Sequence, residues 1–206
     1  METKQVPVII YAESTPNPSS MKFVSNRMLI AEGATAQYLS AAETAKAPLP
    51  AKLFQFPFVK GIFISANYIT ITKSDIVTWE DVTLELREFL RDYLSKGNSI
   101  IDELPAKEVA TDSSFEKTTT VFTEHSAPQN ETETKIVEVL EQYIRPAVEQ
   151  DGGLITFRSF ENGTVTVQLK GACSGCPSST VTLKAGIEAL LKRLVPGVNE
   201  VVAEAV

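Results

Sequence analysis

Cysteine is almost absent from this sequence of 206 residues. Only Cys173 and Cys176 occur, separated by two residues. Structural metal and cluster sites use four ligands, so a single chain does not contain a complete four-cysteine site. Histidine is scarcer still, and the one copy, His125, lies in a polar stretch. We interpret His125 as a solvated side chain without a role.

The sequence also lacks long apolar runs and an evident leader. No apolar run reaches the length of a membrane span. The first residues, Met1–Lys4, have neither the charged-then-apolar form of a secretory signal nor an Arg-rich transit composition. We therefore expect a cytoplasmic protein. The net charge of −7 argues against nucleic acid and anionic membranes as partners.

The hydrophobic pattern and the composition of the sequence predict two folded regions separated by a polar one. Residues 1–97 and 131–206 show hydrophobic patterns typical of mixed helices and strands. Residues 98–130 are rich in Thr, Ser, Glu and Asp, which indicates a flexible acidic linker. The predicted fold class is α/β (α+β), with two small domains and an α-β-β-α-β order in the second.

In the first region, the pattern predicts two strands, a hairpin and a helix. The strands are expected at Val6–Tyr11 and Met21–Ile30, and the hairpin at Val59–Thr72. Thr78 and Asp81 form a capping-box pattern ahead of helically spaced apolar residues. Four aromatic residues are assigned to the core rather than to a ligand site: Phe54, Phe56, Phe58 and Trp79.

In the second region, the predicted order is helix, strand, strand, cysteine loop, helix, strand. Asn130 and Glu133 resemble a capping box, and Pro146 marks the vicinity of the helix end. A hairpin is expected around Asn162–Gly163. This hairpin joins the predicted strands Leu154–Phe160 and Thr164–Leu169, and a helix and a last strand over Val198–Ala203 follow. The start of the helix is open: either Ser178 or Ser179 caps it, or Pro177 occupies its first position.

The cysteines lie in the loop that follows the second of these strands and precedes the second helix. Backbone N–H groups at a helix start favour negative charge and lower thiol pKa values. Gly171 and Gly175 leave room for the backbone to approach a bulky ligand. The position therefore suits two thiolates held side by side.

Four interpretations of the cysteine pair stay open on spacing alone. The pair is half of an iron–sulfur site shared by two chains, half of a shared zinc site, a dithiol–disulfide redox pair, or two incidental cysteines. In a reducing compartment, a C-x-x-C pair is more typical of metal binding or redox chemistry than of a structural disulfide. The element order argues against the redox interpretation, because it differs from the strand–helix–strand order of thioredoxin-like folds.

Two motifs resemble a known family. Ile144–Gly153 is similar to an R-P-x-x-x-x-D-G-G run, and Leu169–Ser179 is similar to a G-x-C-x-x-C-P-x-S loop. Both are typical of the NifU C-terminal (Nfu-type) iron–sulfur scaffold domain, and the resemblance covers residues 131–206. Glu13–Pro18 with Lys22-Phe23 resembles the Nfu N-terminal domain.

The resemblance implies a scaffold or carrier rather than an enzyme. It implies that Cys173 and Cys176 are the ligands of a 4Fe–4S cluster shared by a homodimer. The implied partners are client apo iron–sulfur proteins and an upstream assembly machinery, and the alternative function is a thiol-disulfide oxidoreductase. Animal mitochondrial relatives carry a transit segment that this sequence lacks, which implies a bacterial cytoplasmic form.

The remaining motif residues have less specific expectations. Asp151–Gly153 is expected to be a helix-ending turn. Arg145 is expected to be either a partner of an acidic group or a solvated side chain. The loop Glu13–Asn17 is expected either to bind a client protein or to be a turn fixed by Pro16 and Pro18.

Overall fold

The computed structural model describes residues 7–31, 33–104, 125–174 and 177–205, with the side chains of 177–180 and 205 left aside. Cys176 and most of the predicted linker therefore lie outside the described residues. Within these ranges, no helix is long and apolar enough to cross a membrane.

The N-terminal half is a five-stranded antiparallel sheet with two α-helices and a short 3₁₀-helix, Ala41–Thr44. The sheet has the order β1-β2-β5-β4-β3. Helix α2 starts after Thr78, where the Thr78 N–H and hydroxyl both donate to Asp81 Oδ2, so the predicted capping box is confirmed. The elements are β1 Ile10–Ser14, β2 Ser20–Ser25, β3 Thr35–Tyr38, α1 Pro48–Leu53, β4 Val59–Ser65, β5 Tyr68–Lys73 and α2 Trp79–Ser95.

The two faces of this sheet have different partners because side chains alternate along each strand. One face packs against α1 and α2, with Phe23, Ile64 and Leu86 in the core. Phe58 is buried there, and Phe54, Phe56 and Trp79 pack against the same core, so their assignment to the core is confirmed. The opposite face is directed at the C-terminal half. We call it the contact face, and its members are Lys22, Val24, Gln37, Phe63, Tyr68 and Thr70.

The C-terminal half begins with one helical rod in three parts. It comprises α3 Glu131–Val139, a π-helical segment Leu140–Ile144 and α4 Arg145–Gln150. Asn130 caps α3 by accepting a hydrogen bond from the Glu133 N–H. Pro146 lacks an N–H, and the Arg145 N–H bonds to Leu140 O, five residues back. The helix continues past Pro146 and ends at Gln150, so Pro146 lies near its end, as predicted.

The C-terminal sheet contains β6 Gly153–Glu161, β7 Thr164–Gly171 and β8 Glu200–Ala205, in the order β6-β7-β8. The predicted hairpin between β6 and β7 is confirmed, because Asn162 and Gly163 both adopt positive φ. Helix α5, Pro177–Leu194, connects β7 to β8, and these two strands are parallel. Ile155, Val167 and Leu191 are buried in the core between the sheet and the helices.

Several sequence predictions are corrected by the structure, although the α+β class is confirmed. β1 spans Ile10–Ser14, so it begins and ends later than the predicted strand Val6–Tyr11, whose Val6 lies outside the described residues; pairing with β2 sets its limits. Helix α5 begins at Pro177, so Ser178 and Ser179 lie inside it and do not cap it. The unit β7-α5-β8 is a strand–helix–strand unit, so element order does not exclude a redox pair.

Candidate functional site

The cysteine loop, residues 171–176, begins as a tight turn at the end of β7. Gly171 has φ +66°, and its carbonyl accepts hydrogen bonds from the Ser174 N–H at 3.1 Å and the Ser174 hydroxyl at 2.9 Å. The Ala172 N–H donates to Gly152 O at 3.2 Å. The turn thus returns the chain beside the start of β6.

Cys173 is a free thiol and is only 8% exposed. Burial, with a smaller contribution from the negative charge of Asp151, raises the pKa of this thiol to about 12. The thiol is therefore protonated at neutral pH in this arrangement. This is the opposite of the lowered pKa that activates the nucleophilic cysteine of a redox pair.

Gly153 of the D-G-G run makes room for this thiol, whereas Gly152 makes room for Thr70 and Lys22. α4 ends at Gln150, and Gly152 has φ +79°, as expected of a helix-ending turn. Gly153 pairs with Gly171 across the hairpin. A Cβ at position 153 would lie 2.6 Å from Cys173 Sγ and 2.8 Å from Lys170 O. The absence of a side chain at Gly153 is therefore required for Cys173 to occupy its position.

The N-terminal half contacts the cysteine loop through Asn17. The Asn17 side chain is buried, and its Nδ2 donates to Ala172 O at 3.0 Å and to Ser174 O at 3.5 Å. Its Oδ1 accepts the Ser19 N–H, which fixes the amide orientation. One side chain thus engages the carbonyls on both sides of Cys173.

The contact face binds the end of α4 and the D-G-G turn. Lys22 Nζ donates to Glu149 O and Gln150 O, both at 3.1 Å, at the negative end of the helix dipole. Thr70 Oγ1 donates to Gly152 O at 2.7 Å. The Tyr68 hydroxyl donates to Gly153 O at 3.3 Å, and burial raises the pKa of Tyr68 well above its usual value.

A second polar network supports the other end of α4. Arg145 donates to Glu141 at 2.5 Å and to Glu149 at 2.8 Å. His125 Nδ1 accepts the Phe157 N–H at 2.7 Å, so its proton resides on Nε2, 2.6 Å from Glu141 Oε1. The His125 side chain is only 2% exposed. The prediction that His125 is solvated is therefore wrong, whereas the acidic partners expected for Arg145 are present.

The structure brings Cys173 together with the D-G-G turn and leaves Cys176 outside the described residues. Of the predicted loop Glu13–Asn17, Glu13 and Ser14 belong to β1, and the turn follows them, with the Ser20 N–H donating to Asn17 O. Asn17 contacts the chain's own C-terminal half. Lys22, Tyr68 and Thr70 were not predicted as site residues. Lys22 had a signal in the sequence, because it belongs to the stretch that resembles the Nfu N-terminal domain, whereas Tyr68 and Thr70 are marked only by their alternation with core residues along β5. Among the described residues, no group of three or more His, Cys, Asp or Glu is placed to hold a metal ion.

Comparisons with known proteins give the same two-part division. Residues 10–97 match the family model described as scaffold protein Nfu/NifU N terminal, and residues 136–202 match the NifU-like domain. The chain therefore belongs to the Nfu/NifU family. The boundaries of the domains and of the linker at 98–130 stay predictions.

The curated relatives extend along most of the chain. A protein of Drosophila ananassae named "NFU1 iron-sulfur cluster scaffold homolog, mitochondrial" is 34% identical over 194 residues, covering 94% of this chain and 63% of the relative. "NifU-like protein 4, mitochondrial" of Arabidopsis thaliana is 35% identical, covering 96% of this chain and 66% of the relative. A solution structure of a yeast NifU-like protein covers 50% of this chain at 22% identity, and its TM-score of 0.41 is too low to carry an argument.

The names of these relatives correct one prediction. Both are named mitochondrial, which contradicts the expected cytoplasmic localisation and the bacterial form derived from it. That expectation rested on the first residues of the sequence. Because the chain spans only 63% of the Drosophila relative, those residues do not decide where the protein acts.

Proposed function

We propose that this chain is an iron–sulfur cluster scaffold or carrier without catalytic activity. In this proposal, Cys173 and Cys176 of two copies hold one 4Fe–4S cluster, which is then passed to apo-proteins. The observation that carries it is the half-set of ligands: one chain has two cysteines, and it belongs to a family with relatives named iron–sulfur cluster scaffolds.

The position of the cysteine loop supports cluster binding. The loop leaves β7 at Gly171 and reaches α5 at Pro177. Backbone N–H groups at the start of an 18-residue helix favour negative charge, and a thiolate-bound cluster is anionic. Iron displaces the proton of a coordinating thiol, so the raised pKa of Cys173 in the metal-free arrangement is compatible with ligation.

The ligand count supports a homodimer. Two cysteines from each of two copies give the four thiolates that a 4Fe–4S cluster takes. Because the shared ligands are part of the interface, we expect the metal-free protein to be monomeric and the loaded protein dimeric. Zinc would satisfy the same count, so the identity of the metal needs direct analysis.

Transfer is expected to proceed by ligand exchange. Each Fe–S bond to Cys173 or Cys176 is replaced by a bond to a thiolate of the acceptor apo-protein, and the scaffold thiolate takes up a proton. No net oxidation or reduction accompanies this exchange. In this proposal the iron and sulfide come from an upstream assembly machinery, and the N-terminal half recruits the client proteins.

Anaerobic reconstitution with iron and sulfide tests the proposal. The wild-type chain should take up a cluster with 4Fe–4S absorption, and Cys173→Ser and Cys176→Ser should each lose it. Ser174→Ala alters the same loop without removing a thiol and should retain cluster content. Full cluster content in either cysteine variant would overturn the ligand assignment.

A redox assay distinguishes the alternative function, a thiol-disulfide oxidoreductase, from the scaffold function. If the pair is a thiol-disulfide oxidoreductase, the metal-free protein should reduce insulin disulfides with a thioredoxin-reductase system, and should do so without forming a cluster. The scaffold proposal expects no such turnover, in keeping with the raised thiol pKa of Cys173.

A further inference from the structure

The motifs of the two halves that resemble the family meet each other directly. Asn17 and Lys22, from the stretch that resembles the Nfu N-terminal signature, donate to the cysteine loop and to the end of α4. The D-G-G turn receives Thr70 and Tyr68. The Gly171 N–H donates to Gln37 Oε1 at 3.0 Å. The contact is thus formed with the segments that surround Cys173.

Most of these contacts join a side chain of the N-terminal half to backbone of the C-terminal half. Such contacts recognise the shape of the loop and turn rather than particular side chains. The apolar part of the contact is small: Phe63, Tyr68 and Leu154 form a buried cluster with Val24 beside it. A largely polar contact of this kind resembles a transient interface. After separation, water can form hydrogen bonds with the same polar groups.

Lys22 shows this reversibility most clearly. It is 9% exposed, with its ammonium group on two carbonyls, 3.6 Å from Glu13 and 4.7 Å from the centre of the Tyr68 ring. A buried ammonium is tolerated only while these partners are present. When the halves separate, the charge returns to water, which replaces the lost partners.

We propose that the contact face, together with Asn17, is the binding surface for the empty cysteine loop, and that this contact opens before two chains share a cluster. The second part rests on the proposed function. In the closed arrangement, Asn17 lies on the carbonyls on both sides of Cys173, and the thiol is packed beside Gly153. A cluster ligand must instead direct its sulfur at iron that a second chain also reaches.

Asn17→Asp tests the first part in the metal-free full-length chain. The carboxylate keeps the acceptor for the Ser19 N–H, but it loses the donor and places negative charge against two carbonyls. Iodoacetamide labelling of Cys173 at fixed pH, resolved by peptide mass spectrometry, should become roughly tenfold faster. The added charge by itself would slow labelling, because it disfavours the thiolate. Faster labelling of Cys173 in Asn17→Asp would therefore show that the thiol has become more exposed.

Asn98→Asp is the matched control. Asn98 is exposed and donates to Tyr93 O in the turn after α2, so the same chemical change is made away from the contact face. Labelling of Cys173 should stay within about twofold of wild type. Trp79 fluorescence during denaturation verifies that the N-terminal half of each variant still unfolds cooperatively. Thr70→Val, which keeps the side-chain shape but loses the bond to Gly152 O, should also accelerate labelling.

The second part is tested by the initial rate of anaerobic cluster assembly. Asn17→Asp should assemble its cluster faster than wild type and reach the same final content per chain. Unchanged labelling in both Asn17→Asp and Thr70→Val would overturn the closed contact. Faster labelling without faster assembly would overturn the requirement for opening. If no variant takes up a cluster, the proposed function fails, while the labelling result still decides whether the contact closes the loop.

Discussion

Replacing Gly153 by alanine should disturb the cysteine loop through a direct clash with the Cys173 thiol. The new Cβ would lie 2.6 Å from Cys173 Sγ and 2.8 Å from Lys170 O, both well inside ordinary contact distance. The carbonyl belongs to β7 and cannot rotate away, so either the strand pairing or the thiol must move. Overpacking of this kind costs about 1–3 kcal/mol.

The matched control is Gly186→Ala in the middle of α5, where a Cβ meets nothing within 4 Å. That change should raise stability by about 0.5–1 kcal/mol, because alanine loses less conformational freedom in a helix. Calorimetry of the full chain measures the unfolding of both halves, and Trp79 fluorescence follows the N-terminal half separately. Each 1 kcal/mol corresponds to roughly 4–8 °C in the melting temperature of a domain of 60–100 residues.

We expect Gly153→Ala to lower the C-terminal transition and to accelerate iodoacetamide labelling of Cys173, since the thiol is displaced from its packed position. The Trp79 transition should change little. A C-terminal transition equal to that of wild type, with unchanged labelling, would refute the inference that the bare backbone at Gly153 is what accommodates the thiol.

Three further changes test other parts of the fold. Thr78→Ala should lower the stability of the N-terminal half by about 1 kcal/mol by removing a capping interaction with Asp81; an unchanged Trp79 fluorescence transition would contradict this. His125→Ala leaves the Phe157 N–H without its acceptor and should cost the C-terminal half about 1–3 kcal/mol, whereas a solvated histidine would cost nothing measurable by calorimetry. Thr156→Val should be neutral or stabilising by up to about 1 kcal/mol, because the buried Thr156 hydroxyl has no hydrogen-bond partner among the described residues; a lowered C-terminal transition would be inconsistent with this.

Local signals in the sequence predicted much of the fold. The caps at Thr78 and Asn130 start helices because they act within three or four residues. The Asn162-Gly163 turn determines the β6–β7 hairpin for the same reason. The cysteine loop was placed correctly after a strand and before a helix, since alternation and helical spacing change at that point.

Features that depend on tertiary contacts were not predicted. Asn17 and Ala172 are 155 residues apart, and no periodicity links them. His125 lies in a polar stretch of the sequence, yet its side chain is buried. It is held there by hydrogen bonds to the Phe157 N–H of β6 and to the Glu141 carboxylate of the π-helical segment. The helix continues through Pro146 because a π-helical segment accommodates the missing N–H, an adjustment that helix-ending rules do not anticipate. Long-range packing decided the positions of Asn17 and His125, whereas the adjustment at Pro146 is local.

Native mass spectrometry of the anaerobically reconstituted chain tests whether two chains share one 4Fe–4S cluster. We expect a species of two chains with four irons and four sulfides, which dissociates to monomers when a chelator removes the iron. A monomer carrying a complete cluster would contradict it, because one chain supplies only Cys173 and Cys176 as thiolate ligands. A dimer that persists without iron would equally contradict the claim that the shared cluster holds the two chains together.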